Sequence, residues 1–164
     1  MVPKEWKCAQ VIRVYKSSGK SDQNSYRPIS LLPIISKIME SIVNDQLRKH
    51  LFALSLITSN QYGFRPGHST LDLLTSTTQR WANALDKGQE AKVVALDISR
   101  AFDSVWHNGL LSKLMSCGIG GRLYRWLRSF LQNRSIKVVV NGSVFSAGYI
   151  NAGVPQGSIL GPTL

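Results

Sequence analysis

The stretch Lys92–His107, KVVALDISRAFDSVWH, constrains this chain more than any other. The apolar run Val93–Leu96 leads straight into a carboxylate, Asp97, and a second acid, Asp103, follows with Phe102 just before it. Such a run predicts a buried strand that delivers charge to the edge of a sheet. An isolated carboxylate is seldom placed there without a partner, because burying an unpaired charge is costly. Two readings stand on this stretch alone: a strand carrying acids to one site, and a strand followed by a solvated loop acid.

The rest of the composition bears on that choice. A chain of 164 residues holds one domain with a sizeable core, and 43% apolar residues exclude wholesale disorder. The net charge of +11 favours an anionic partner, nucleic acid ahead of a membrane surface. All nine carboxylates lie at or before Asp103, while Lys113, Arg122, Arg125, Arg128, Arg134 and Lys137 follow it. The C-terminal part is therefore purely cationic and offers no acid to a metal. Cys8 and Cys117 have neither metal-ligand spacing nor a disulfide framework, which suits a reducing compartment. The N-terminus is too polar for a signal peptide, and no apolar run reaches transmembrane length. The expected location is intracellular, in cytoplasm or nucleus, without a membrane partner. The final SILGPTL stops where a helix looks about to start, so the chain reads as a fragment of a larger domain.

Periodicity and punctuation place the elements. Trp6–Tyr15 reads as a strand and 16–23 as a loop. Ser30 and Pro33 sit where a helix would begin, and Ile35, Ile38, Met39, Ile42, Val43, Leu47 and Leu51 recur at helical spacing, predicting a helix over 33–54. Thr58–His68 is a Gly/Pro loop. Ser69 and Asp72 have capping-box spacing before a helix that Gly88 ends. Short helices follow over 109–117 and 121–133. Asn141-Gly142 joins Ile136–Val140 to Ser143–Ile150 as a hairpin. Helices and strands are mixed in one unit, so the fold class is α+β.

Three constellations carry chemistry. A two-metal site needs several carboxylates around ions about 3.5–4 Å apart, with oxygen donors such as backbone carbonyls. Asp97 fits this role, with the Ile98 carbonyl beside it, whereas Asp103 fits better as the cap of a turn. Phe102 reads either as a core residue or as a ring that meets a sugar and rejects a 2′-hydroxyl by bulk. In Val154–Ser158, Gly157 allows close backbone approach, Gln156 offers a planar amide, and a helix starting after Gly157 would favour phosphate. Lys16, Lys20, Arg27 and Arg65 are donors for a triphosphate or template backbone, interleaved with Tyr26, Tyr62 and Phe64, on which bases stack. Arg122, Arg125 and Arg128 recur on the outer side of one helix. His50, His68 and His107 share no ligand spacing, and there is no P-loop or GxGxxG.

Taken together, SYRPISLLP, NQYGFRPGHST, ALDISRAFDSVWH and GVPQGSILGPTL resemble, in order and interval, the reverse transcriptase domain of non-LTR (LINE-type) retrotransposons. Group II intron reverse transcriptases are the next nearest resemblance. The resemblance implies right-hand polymerase architecture: fingers over 1–90, the first strand and helix of a ferredoxin-like palm over 91–117, and a helix, fingers hairpin and PQG motif over 118–164. It implies a catalytic, metal-binding Asp97, an Ile98 carbonyl on metal, and nucleotide contacts from Phe102, Gln156, Gly157, Arg27 and Arg65. Lys16, Lys20, Arg122, Arg125 and Arg128 would meet nucleic acid. Partners would be an RNA template, a DNA primer and deoxynucleoside triphosphates, with Mg2+ or Mn2+ expected only in the full-length domain. The family's aromatic-Ala-Asp-Asp turn is absent from this chain, and so is a thumb. The chain is therefore expected to be inactive by itself, and the 93–96 strand to lack a neighbour. The alternative is a non-catalytic RNA-binding remnant or a domesticated truncated copy.

Overall fold

Strand β1 (Cys8–Tyr15) is rich in β-branched residues and holds the centre of a mixed sheet. The computed structural model describes residues 1–16 and 19–164, so Ser17 and Ser18 of the expected loop lie outside the described residues. On one side β1 pairs antiparallel with β2 (Tyr26–Leu31), matching Gln10 with Leu31 and Tyr15 with Tyr26. On the other it pairs in parallel with β3 (Arg134–Val140), matching Cys8 with Ser135 and Ile12 with Val139. β2 corrects the sequence reading, which took Ile29–Leu32 as the approach to a helix. Pro28 is tolerated there because β2 is an edge strand, where a missing N–H leaves no ladder bond unmade.

The hairpin forms as expected. Asn141 and Gly142 have φ of 49° and 80°, the left-handed pair of a type I′ turn, between β3 and β4 (Ser143–Val144). The return strand resumes as β5 (Gly148–Ile150), with Arg134 opposite Ile150. The register shifts by one residue between β4 and β5, which marks a bulge at Ser146–Ala147 opposite Lys137.

The chain divides into two compact units, Met1–His50 with Arg100–Leu164, and Leu51–Ser99. The first contains the sheet, most of α1 (Ile34–Ala53), α3 (His107–Ser116) and α4 (Gly121–Leu131). Its core includes Ala9, Val11, Val43, Leu47, Leu110, Leu111, Leu114, Ile119, Leu127, Phe130 and Leu131. Arg134 is buried among them, donating to the carbonyls of Phe130 (3.0 Å) and Trp6 (3.3 Å), with its guanidinium 4.9 Å from the Phe130 ring centroid. Burial lowers its pKa to about 10, while the negative charge of Glu40 pulls the other way.

The second unit is built on α2 (Thr70–Asp86). Ser69 and Asp72 close the expected capping box, and Gly88 follows the helix at φ 68°. The helix buries no side chain. The strand expected over 93–96 does not form. Val94 is 83% and Leu96 93% exposed, and 89–98 joins no helix or strand. A strand persists only when a neighbour takes its N–H and C=O groups, and among the described residues none pairs with this run. An exposed ion pair, Lys92 with Glu90 at 3.5 Å, adds little. Limited trypsin digestion should therefore cut after Lys92 well before it cuts at Arg134 or Lys137 within the sheet, as read by mass spectrometry of early fragments. Early cleavage in β3 with Lys92 intact would contradict this description.

Candidate functional site

The first unit binds two distant segments to each other through backbone. The 100–107 turn begins at Arg100, whose φ of 54° is left-handed and whose carbonyl accepts from the N–H groups of Asp103 (2.9 Å) and Ser104 (3.1 Å). Along this turn, the Phe102 carbonyl accepts from Val154 N–H at 2.7 Å and the Val105 carbonyl from Gly153 N–H at 2.8 Å. The buried His107 donates from Nε2 to the Gly153 carbonyl at 2.6 Å. The approach leaves no room for a side chain. A Cβ on Gly153, at φ 84°, would lie 2.8 Å from the Asp103 carbonyl oxygen.

The next residues dock on the end of β2. Ser30 N–H donates to the Gln156 carbonyl at 2.8 Å. A Cβ on Gly157, at φ 111°, would lie 2.9 Å from the Ser30 carbonyl oxygen and 3.7 Å from Ile29 Cγ2. Strand alternation puts Arg27 on the same sheet face as Ile29. Phe102, Gln156 and Gly157 are thus tied into one corner of this unit, and Arg27 lies further along β2 on the Ile29 face. Gln156 and Phe102 are half-buried, and Arg27 is exposed.

The phosphate site expected after Gly157 is not there. A turn followed by a single 3-10 turn (Gly161–Thr163) replaces the helix, and its donors are already taken. Ile159 N–H donates to Glu40 Oε2 at 2.8 Å and Leu160 N–H to the same oxygen at 3.4 Å, while Gly161 N–H donates to Ser158 Oγ at 3.0 Å. Asp103 does not cap α3 either, whose N-cap is Trp106 without a side-chain bond.

The cationic candidates separate. Lys16 and Lys20 are exposed; Lys16 N–H donates to the Ser25 carbonyl (2.7 Å) and Tyr26 Oη to the Lys20 carbonyl (2.8 Å). Arg100 Nη2 donates to Asn24 Oδ1 at 2.6 Å, joining the segment before β2 to the Phe102 turn. Arg122, Arg125 and Arg128 are exposed on α4, with Arg128 Nε donating to Gln132 at 3.2 Å. Arg65 lies in the second unit, where it holds its own loop, donating to the Thr58 carbonyl (3.2 Å) with its guanidinium 5.6 Å from the Phe52 ring centroid.

Compared with known proteins, residues 16–164 match the family "Reverse transcriptase (RNA-dependent DNA polymerase)". The chain belongs to the reverse transcriptase family. Its similarity runs to the non-LTR retrotransposon members. It is 42% identical over 164 residues to "RNA-directed DNA polymerase from mobile element jockey" of Drosophila melanogaster, covering 99% of this chain and 18% of that protein. It is 38% identical over 164 residues to "Probable RNA-directed DNA polymerase from transposon BS" of the same fly, with the same coverage. A third relative, "Probable RNA-directed DNA polymerase from transposon X-element", is 35% identical over 164 residues. The chain thus spans about a fifth of the length of these relatives.

Reverse transcriptases generally use divalent metal, and Asp97 and Ile98 are the residues that the sequence puts forward for it. Both lie in the second unit and are exposed. Among the described residues no three His, Cys, Asp or Glu side chains gather as a metal site, so the donors present do not fit a two-metal centre. Sequence reasoning missed Glu40 and Arg100. Glu40 lies on the stripe Ser36, Glu40, Val43, Asn44, Leu47 and Leu51, which α1 buries although three of its members are polar, so apolar periodicity does not mark it.

The glycines of this reverse transcriptase corner give a direct check. Gly153→Ala and Gly157→Ala each force a side chain into left-handed backbone, costing about 1–2 kcal/mol before any overlap is counted. Gly148→Ala meets nothing within 4 Å. Urea unfolding should show a clear loss of midpoint for the first two and little change for the third. Equal midpoints for all three would refute the close packing.

Proposed function

We propose that this chain forms the fingers and the first part of the palm of a right-hand RNA-directed DNA polymerase, with an RNA template, a DNA primer and deoxynucleoside triphosphates as partners. The observation that carries this reading is the backbone pairing of the Phe102 turn with the Gly153–Gln156 segment, which docks through Ser30 on β2, the strand that also bears Arg27. Phe102, on this reading, stands against the sugar of the incoming nucleotide and excludes a 2′-hydroxyl by its bulk. Gln156 positions the nucleotide through its amide, and Gly157 lets backbone come close to it. Arg27 meets phosphate, while Lys16 and Lys20 extend the cationic margin and Arg65 serves from its own loop. Asp97 contributes one carboxylate, with the Ile98 carbonyl beside it, to a metal site that needs ligands from outside this chain.

The test is primer extension on an RNA template by the polymerase that carries this chain. Phe102→Ala should raise ribonucleotide incorporation relative to deoxyribonucleotide by an order of magnitude or more. Asp97→Asn should abolish extension while leaving template binding intact. Unchanged sugar selectivity, or full extension by Asp97→Asn, defeats the respective assignment.

A second reading, a non-catalytic RNA-binding protein, is favoured by one observation. Arg122, Arg125 and Arg128 are all exposed on α4, and no acid follows Asp103 in the sequence. Phosphate contacts release counterions, so RNA affinity should fall steeply with salt. Replacing the three arginines by Gln should flatten the slope of log K against log salt. An unchanged slope would exclude α4 from the interface.

A further inference from the structure

We infer that Glu40 is a positioning residue for the nucleotide site: its buried carboxylate fixes the turn that presents Gln156. The inference rests on the reading of Gln156 as a nucleotide contact. Glu40 lies on α1, far from that turn in sequence, yet is 0% exposed. Its oxygens accept from Ile159 N–H (2.8 Å), Leu160 N–H (3.4 Å) and Ser36 Oγ (3.1 Å). All three partners donate to it. Two backbone N–H groups and a hydroxyl hold the carboxylate, and its charge also attracts the buried Arg134.

The geometry explains why an anion sits there. Gly157 adopts a left-handed conformation, and the two N–H groups that follow its turn converge without a helix to use them. Unpaired, they would be orphan donors in a partly buried place. Glu40 closes them from behind while Ser30 N–H holds the Gln156 carbonyl from the sheet. Residue 156 is thus fixed from the sheet on its own carbonyl and from α1 a few residues on, with its side chain half-buried. The carboxylate takes the anion-binding donors for structure, so phosphate must be met by arginine and lysine side chains instead.

The experiment uses the polymerase that carries this chain, with Glu40→Ala, Glu40→Asp, Glu40→Gln, Gln156→Ala and the double variant Glu40→Ala/Gln156→Ala. Steady-state extension is measured against nucleotide concentration, and amide exchange is followed at Ile159, Leu160 and Ser30. Glu40→Ala and Glu40→Asp should raise the nucleotide KM roughly tenfold with a much smaller change in kcat. Glu40→Gln keeps an acceptor oxygen and should recover most of the loss. The double variant should be no worse in KM than Gln156→Ala, because both act through one group. Exchange at 159, 160 and 30 should quicken while Val11 and Ile12 in the β1–β3 ladder stay protected. If KM is unchanged in Glu40→Ala while Gln156→Ala raises it, the positioning role is wrong. Activity lost only in step with ladder protection makes Glu40 merely structural and also overturns the proposal. If Gln156→Ala itself leaves KM unchanged, the reading of Gln156 fails, and the positioning role falls with it; exchange at 159 and 160 then still shows whether Glu40 holds the turn.

Discussion

Four hydrogen bonds to the backbone of residues 153–156 give the first unit its corner. Val154 to Phe102, Gly153 to Val105, His107 to Gly153 and Ser30 to Gln156 bring β2, the turn before α3 and the end of the chain to one place. Three are made main chain to main chain, so they constrain side chains only through what they forbid. They forbid a Cβ at residues 153 and 157. Everything proposed for Phe102, Gln156 and Arg27 depends on this constraint, because a side chain that must meet a ligand is only as well placed as the backbone beneath it.

Charge is handled in two different ways in this protein. Most of its cations lie in water, where they cost nothing and can attract an anionic partner. Glu40 and Arg134 are the exceptions, each about fully buried and each satisfied by main-chain groups. A buried ion without partners would be intolerable, and breaking such an arrangement on one side is far worse than never having built it. These two residues therefore report on architecture, while the exposed arginines of α4 report on partners.

What could be read from the amino acids followed from local physics. Ser69 with Asp72, Asn141 with Gly142, and the apolar spacing of α4 each signal their own element, and each appears. The α1 helix was legible, but its buried side was not. Ile35, Ile38 and Ile42 suggested the inner face, yet they are exposed, and Ser36, Glu40 and Asn44 take the inside with Val43 and Leu47. Polar residues on a buried stripe break the rule that apolar marks the core, and for Glu40 hydrogen bonds to distant backbone repay it. Val93–Leu96 failed in the opposite direction. Its composition is that of a strand, but a strand is a property of two segments, and the second cannot be read from the first. β2 was hidden by Pro28, which argues against a central strand and is silent about an edge. The motif residues were legible through resemblance, whereas Glu40 lay outside every motif and became visible only with its partners.

The parallel pairing of β1 with β3 has a kinetic side. Cys8 finds Ser135, and Ile12 finds Val139, across most of the length of the chain. The neighbouring β1–β2 pairing is local and can zip early, but it leaves one edge of β1 open until the hairpin has been made and delivered. Closing so long a loop is entropically expensive, and contacts of that separation are won late. On the ribosome the nascent sheet would wait, half-formed, with a β-branched edge available to any other strand. Traffic at that edge, with a chaperone or with a second nascent chain, is where the yield of this fold would be decided.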